Sequence, residues 1–407
     1  LSAHHRPLRA ALQKDLKQAL QVVKIGFILD DSLDSSDGVQ QYILTLGKWF
    51  GQQGHDVHYL VGQTKRQDVA TVHSLSRNVA VRFNGNRMSI PLPANRRDIK
   101  RLLAEQQFDV LHVQMPYSPF MAARIILAAP PQAVIVGTFH IMPFGRLHTV
   151  GAKALQLVLR RSAARLNQVW SVSAPAQRFA ASLGIKSQVL PNAIDLSQFK
   201  PKNARSAVRP LKQVVFLGRL VQRKGCMQLL KAIDILAQSE SIDNLQVKIG
   251  GRGPQLTMLR QFVFQHGLSD IIEFVGYVAE ADKAAFLAAA DVAVFPSLGG
   301  ESFGIVLLEA MAAGSGVVLA GHNAGYSSVL VSIPQSLFDP TNPAALAALI
   351  TQMHHQPQLA QRLHDQQQSL VQGFDINLIG QKLLLCYQQQ MQQSKQGENH
   401  EDIQRQK

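Results

Sequence analysis

The sequence predicts an α/β protein of two doubly wound parallel sheets in series, facing each other across a cleft. Three observations carry this. Short β-rich apolar runs alternate with helical patterns along almost the whole chain, as repeated βαβ units require. The alternation is interrupted once, by the polar, proline-bounded stretch PKNARSAVRP (Pro201 to Pro210), and then starts afresh. In both halves, glycine-containing loops follow strand candidates and precede helix candidates, which is where open parallel sheets bind ligands.

Residues 1–21 read as a basic N-terminal extension, and 22–200 as a first Rossmann-like domain. This domain opens with VVKIGFIL (Val22 to Leu29), bounded by the polar loop DDSLDSSDG. A helical pattern, VQQYILTLGKWFGQQG, runs to Gly54 and is followed by the strand candidate HDVHYLVG. Further strands are expected at DVLHVQ, AVIVGTFH, QVWSVS and SQVLPN. Residues 201–376 form a second Rossmann-like domain. Its strands are QVVFLGRL, LQVKIGG, IIEFVGYV, VAVFPS and GVVLAG, alternating with helices such as KGCMQLLKAIDILAQ, QLTMLRQFVFQHG and DKAAFLAAA. Residues 377–407 read as a C-terminal helix returning to the first domain, with a Gln-rich end expected to fray.

Composition narrows the class. The chain has 407 residues, 46% of them hydrophobic, and no apolar run of the roughly 18–20 residues that span a bilayer. Two cysteines far apart, Cys226 and Cys386, speak against a disulfide framework or a cysteine metal site. The formal net charge is +14, and nearly all the excess lies in Leu1 to Asp195, with 23 Lys and Arg against 11 Asp and Glu. A one-sided excess points to a domain that faces an anionic surface, either lipid or nucleic acid.

Several motifs carry chemistry. In FLGRLVQRKG a strand ends at Gly218, and Arg219 and Lys224 follow in the loop before a helix, an order that suits a phosphate. In IGGRGPQ, Gly251 permits close backbone approach to an anion, although a plain tight turn explains it equally well. LGGESFGIVLLEAMAAG combines a flexible loop with a helix ending near Gly314. Glu301 stands at that helix start, where it either meets a ligand or caps the helix. Glu309 lies two turns further, among Ile305, Val306, Leu307, Leu308 and Ala310, where an unpaired carboxylate is costly. A pair of ribose hydroxyls satisfies it, as does a surface cation. SSDGVQQ places Asp37-Gly38 at the first strand-to-helix junction, and the acidic loop lacks the spacing of a calcium site. His140 ends the strand AVIVGTFH, a position that points into the cleft.

Two basic helices suit an anionic membrane surface. ANRRDIKRLLAEQ carries Arg96, Arg97, Lys100 and Arg101, and AKALQLVLRRSAARL mixes four cations with a leucine-rich face. Ordinary solvated helix faces are the plain alternative.

Taken together, DGVQQ, TFH, LPNAID, FLGRLVQRKG, IGGRGPQ, FVGYV and ESFGIVLLEAMAAG resemble the retaining GT-B glycosyltransferases of the family 4 type, in the family's order and over most of the chain. The Glu, seven residues, Glu spacing is that family's signature. Within it, the chain is most similar to the bacterial phosphatidylinositol mannosyltransferases. The resemblance implies that Arg219 and Lys224 hold the donor pyrophosphate and that Glu309 binds the ribose. It implies that Glu301 and the amides of Ser302, Phe303 and Gly304 contact the donor sugar and its phosphate. Gly38 lies under the reacting centre in a loop usually written Gly-Gly, with Asp37 in place of the first glycine. His140 contacts the donor sugar, Gln40, Asn84 and Arg87 help hold an inositol-phosphate acceptor, and the backbone from Gly276 to Val278 borders the base.

The resemblance further implies transfer of a hexosyl unit, mannose from GDP-mannose, to an anionic phospholipid such as phosphatidylinositol. The reaction is expected to proceed by same-face substitution, with no cofactor and no metal, on the inner face of the cell membrane. One alternative keeps the family and changes the substrates to a UDP-sugar and a polysaccharide or another glycolipid. Another is a non-catalytic polyanion-binding protein. The second domain's motifs and the scarcity of interleaved aromatics argue against a nucleic-acid partner.

Overall fold

The computed structural model describes residues 22–34, 37–83, 86–92, 94–116, 118–140, 157–199, 210–239 and 242–405. The first domain contains β1 (Lys24–Leu29), β2 (Asp56–Gly62), β3 (Val72–Ser76), β4 (Asn78–Phe83), β5 (Asn86–Pro91), β6 (Val110–Gln114), β7 (Val134–Phe139), β8 (Gln168–Ser171) and β9 (Gln188–Val189). Seven of these form one sheet in the order β3-β2-β1-β6-β7-β8-β9, and every pairing in it is parallel. The central strands β6 and β7 are buried at every residue, as strands covered by helices on both faces must be.

The second domain contains β10 (Gln213–Leu217), β11 (Gln246–Gly250), β12 (Ile272–Gly276), β13 (Val292–Phe295), β14 (Val317–Gly321) and β15 (Leu337–Phe338). They form a parallel sheet in the order β12-β11-β10-β13-β14-β15. Strand order reverses between β1 and β6 in the first sheet and between β10 and β13 in the second. A crevice opens outside the strand carboxyl ends at such reversals.

The helices follow their apolar periodicity. The Cys226–Gln238 helix buries Cys226, Leu229, Leu230, Ile233 and Leu236 on one face. The last helix, Ile376–Arg405, leaves the second domain and lies against the first. Its buried residues Ile376, Ile379, Leu383, Tyr387 and Met391 share a core with Tyr42, Trp49 and Phe50. Trp49 Nε1 donates to Asn377 Oδ1 at 2.9 Å. A Cβ on Gly380 would stand 2.6 Å from the Trp49 ring, so the indole needs glycine there.

A third core spans both domains. Val172, Ala176, Ile194 and Phe199 pack with Phe303, Leu307 and Tyr326 of the second domain. The chain crosses between domains twice, and the crossings bond to each other: Ile194 N–H donates to Phe374 O, and Ile376 N–H to Ile194 O, both at 2.9 Å.

The structure differs from the sequence reading in detail. It adds β3, β15 and the antiparallel β4–β5 pair, with Phe83 opposite Asn86 around Asn84-Gly85. SQVLPN contributes only two strand residues. The backbone of the Gln-rich end is helical to Arg405, in keeping with the good helix propensity of glutamine.

Candidate active site in the interdomain cleft

The second domain's side of the cleft is built at its point of strand reversal. After β10, Val221 leads into a single 3₁₀ turn, Gln222–Lys224, which ends at Gly225 with φ +72°. A Cβ on Gly225 would lie 1.8 Å from Pro296 O, just past β13, so only glycine lets this turn press onto the neighbouring strand end. The turn aims two adjacent cations at one carboxylate. Arg223 Nη1 lies 2.7 Å and Lys224 Nζ 2.8 Å from Glu301 Oε1, and Ser297 Oγ donates to the same oxygen at 2.9 Å. Burial pushes the Glu301 carboxyl up, but Lys224, then Arg223, then Ser297 together hold it below the usual carboxylate range. Two cations against one anion leave this cluster net positive.

The loop from Ser297 to Gly304 is shaped by glycines with positive φ at 299, 300 and 304. Gly304 is the N-cap of the Ile305–Ala312 helix and has no side-chain cap. Glu301 therefore does not cap that helix; its carboxylate is turned to the cations. Phe303 is buried and stacks edgewise on Phe374. Tyr326 packs against Gly304, and Gly325 lies so close to the loop that a Cβ would be 2.3 Å from Glu301 O. The amides of Ser302, Phe303 and Gly304 meet no backbone acceptor among the described residues. Together with the helix N-terminus behind them, they form a site suited to an anion.

Glu309 is 8% exposed, so the salt bridge that satisfies it is a buried one and not a surface one. Lys283 Nζ, from the Glu280–Ala288 helix, sits 2.7 Å from Glu309 Oε1 and 2.8 Å from Glu280 Oε1. Burial pushes the Glu309 carboxyl up against the pull of Lys283. Burial opposes the Lys283 charge too, but Glu309 and Glu280 outweigh it and hold that ammonium above its ordinary range. Sequence reasoning missed Lys283, because its spacing to Glu309 follows no local period. It also passed over Arg223, which looks like any loop cation until the 3₁₀ turn folds it inward.

The glycines of the neighbouring loops serve protein contacts. Gly218 N–H donates to Gly250 O at 3.0 Å and Gly251 N–H to Gly276 O at 2.6 Å. With φ +140°, Gly251 would place a Cβ 1.9 Å from Gly218 O, so the tight-turn reading holds there and its amide does not face a ligand. Gly276 has φ +79° with open space beside it, next to half-exposed Val278.

On the first domain's side, Gly38 starts the Gly38–Gln52 helix, and a Cβ on it would lie 3.2 Å from Ile305 Cδ1 of the second domain. Arg219 Nη1 reaches Asp37 Oδ1 at 3.7 Å, and Ser173 Oγ donates to Ser302 O. His140 does not stand free in the cleft. It is 4% exposed, paired through Nε2 with Gln114 Oε1 at 2.7 Å, and set edgewise on Tyr42. Burial lowers its pKa to about 3, so the ring is neutral. Behind it, His112 bridges Thr138 Oγ1 at 2.7 Å and the Tyr387 hydroxyl of the last helix at 2.6 Å.

Gln40 is also placed differently from expectation. It is 2% exposed, and its amide nitrogen donates to Asp31 Oδ2 and Ser32 O, so it holds the loop together instead of lining an acceptor site. Asn84 and the Arg87 side chain lie outside the described residues. In the Arg96–Gln106 helix, Arg96, Arg97, Lys100 and Arg101 are exposed, while Ile99, Leu102 and Leu103 are buried in the domain. The apolar face of that helix is thus used internally, which leaves only charge for a membrane. Arg101 is already near Asp98 at 3.3 Å. A surface groove of about 1040 Å³ beside β8 and β9, lined by Leu157, Arg160 and Lys186 among others, shares no residue with the cleft cluster. Among the described residues no His, Cys, Asp and Glu group is arranged to hold a metal, and no helix is long and apolar enough to cross a membrane.

Residues 200–369 match the family described as glycosyl transferases group 1, and residues 36–198 match glycosyltransferase family 4. A phosphatidyl-myo-inositol mannosyltransferase of Mycolicibacterium smegmatis is 30% identical over 372 residues, covering 90% of this chain and 94% of that protein. A GDP-mannose-dependent alpha-(1-6)-phosphatidylinositol monomannoside mannosyltransferase of Mycobacterium tuberculosis is 28% identical over 324 residues, covering 74% of this chain and 81% of that one. Among solved structures, the Anabaena protein Alr3699/HepE in complex with UDP and glucose superposes with a TM-score of 0.69 at 17% identity, covering 89% and 98% of the two chains.

Proposed function

The chain belongs to the group 1 and family 4 glycosyltransferases, and from that premise we propose that it transfers mannose from GDP-mannose to phosphatidylinositol with retention of configuration. The observation that carries the reading is the net-positive cluster of Arg223, Lys224 and Glu301 at the second sheet's reversal point, with Arg219 in the loop that leads to it. A nucleoside diphosphate fits there by charge. The diphosphate gains negative charge as its bond to the sugar breaks, and fixed cations lower the energy of that state. Arg219 and Lys224 take the diphosphate, and the loop amides of Ser302, Phe303 and Gly304 take its sugar-side phosphate. Glu301 keeps Lys224 in place and presents its second oxygen to the sugar.

Glu309 accepts the ribose hydroxyls, with Lys283 holding the carboxylate in position. Neutral His140, held by Gln114, lines the floor under the transferred sugar. The acceptor hydroxyl attacks from the face the diphosphate leaves, and a diphosphate oxygen takes its proton. The protein's own cations supply the counter-charge, so the transfer is proposed to need no metal. The exposed Arg96, Arg97 and Lys100, with the front-half charge excess, support docking on an anionic membrane from its cytoplasmic side.

The test uses radiolabelled GDP-mannose, UDP-glucose and UDP-galactose with vesicles containing phosphatidylinositol or phosphatidylglycerol, with and without EDTA. The expected result is a mannolipid only with GDP-mannose and phosphatidylinositol, insensitive to EDTA. Transfer from a UDP-sugar alone, or to neither lipid, refutes the substrate assignment.

A further inference from the structure

Asp37 occupies the N-cap position of the Gly38–Gln52 helix with extended backbone, φ −72° and ψ 158°. Aspartate is favoured there because its carboxylate accepts from the helix's first amides. Here the side chain makes no cap hydrogen bond. It points across the cleft, and its Oδ1 lies 3.7 Å from Arg219 Nη1. The site is a junction of the domains, because a Cβ on the next residue, Gly38, would lie 3.2 Å from Ile305 Cδ1. Both side chains are wetted, Arg219 at 40% and Asp37 at 46% exposure, so either can change partners without burying a charge.

We propose that Asp37 is a positioning residue that holds Arg219 while the cleft contains no donor, and that the donor's diphosphate displaces it. This rests on the reading of Arg219 as a diphosphate ligand. Binding is then an exchange of one anion for another on a single guanidinium. Released from Arg219, the carboxylate can turn to the amides of its own helix, which it does not cap while it faces Arg219. Asp37 thereby lowers affinity for donor and for nucleotide product alike, and it keeps the two domains in contact when the cleft is empty.

The test is calorimetric titration of GDP, UDP and uncharged guanosine into the wild type, Asp37→Asn and Asp37→Gly. An exposed ion pair contributes a factor of roughly 1.5 to 5, and the repulsion between Asp37 and the incoming phosphates adds to it. Both variants are therefore expected to bind the preferred nucleoside diphosphate about 2- to 10-fold more tightly. The gain should shrink in about 1 M salt, where the screening length is near 3 Å, and guanosine affinity should not change. A purely structural role would move guanosine as well. Diphosphate affinity that is unchanged or weaker in both variants overturns the inference while leaving the donor reading intact. A wild type that binds neither GDP nor UDP takes the donor reading down, and this inference with it.

Discussion

Lys283→Met removes one half of a buried ion pair and leaves the other half in place. The side chains of Lys283 and Glu309 are only 12% and 10% exposed, so water cannot replace the lost partner. Breaking such a pair from one side costs about 3–5 kcal/mol. Glu309 has an escape, which is to protonate, and that sets a ceiling. Relative to an unfolded glutamate of pKa about 4.3, protonation costs about 4 kcal/mol at pH 7 and about 1 kcal/mol at pH 5. The sign follows from the raised folded-state pKa. Burial already pushes Glu309 up in the wild type, and without Lys283 nothing nearby opposes it as strongly. Folding then favours the proton. Stability is fully retained below about pH 4.3 and is lost as the pH rises through the folded-state value. Urea denaturation followed by circular dichroism should show Lys283→Met destabilised by up to about 4 kcal/mol at pH 7 and by no more than about 1 kcal/mol at pH 5. Adding Glu309→Gln should recover most of the loss. Equal losses at both pH values, or no rescue by the second substitution, would refute the reasoning.

Glu301→Gln keeps the side-chain shape but removes the charge that Arg223 and Lys224 share. Turnover should fall about 100-fold while GDP binds as well as before or better, by radiolabelled transfer and calorimetry respectively. Asp30 is buried at the end of β1, where burial raises its pKa to about 6 despite bonds from Ser118 and Ala122 N–H. Its folded-state pKa exceeds the unfolded one, so it weakens the fold as pH rises towards and past 6. Asp30→Asn should stabilise by up to about 3 kcal/mol at pH 8 and much less at pH 5, and no pH dependence in the difference would contradict this. Gly251→Ala forces a Cβ to within 1.9 Å of Gly218 O at a φ of +140°. It should cost more than about 2 kcal/mol and lower the melting temperature, and a neutral effect would mean that the two loops are not locked together.

What could be read from the sequence was local. Strands such as VLHVQ and VIVGTF announce themselves because they are short, apolar and bounded by polar loops. The order Gly218, Arg219, Lys224, helix marks a phosphate site because strand, loop and helix start are contiguous. The β4–β5 hairpin was legible in principle, since Asn84-Gly85 between alternating runs is a strong turn signal, but NGN reads as an acceptor site once a substrate is in mind. The remaining features were hidden because they join distant positions. Nothing near Lys283 indicates Glu309, nothing near Asp37 indicates Arg219, and the burial of Gln40 and His140 depends on Asp31 and Gln114. Conformational freedom at Gly251 reads as room for a ligand, when it is the neighbouring loop that fills the space.

The last helix gives the chain a strict order of assembly. Ile376, Ile379, Leu383, Tyr387 and Met391 complete a core whose other members begin at Val23. On a ribosome, the first domain emerges with that hydrophobic face uncovered, and it stays so until the whole second domain has been made. Domains ordinarily close in the order they are synthesised. Here the second domain can finish before the first, and the first is sealed only by the helix that follows the second domain. Until then, the side of the first domain that awaits the helix is an apolar surface for chaperones to shield, and a chain stopped short of Ile376 would release it unsealed.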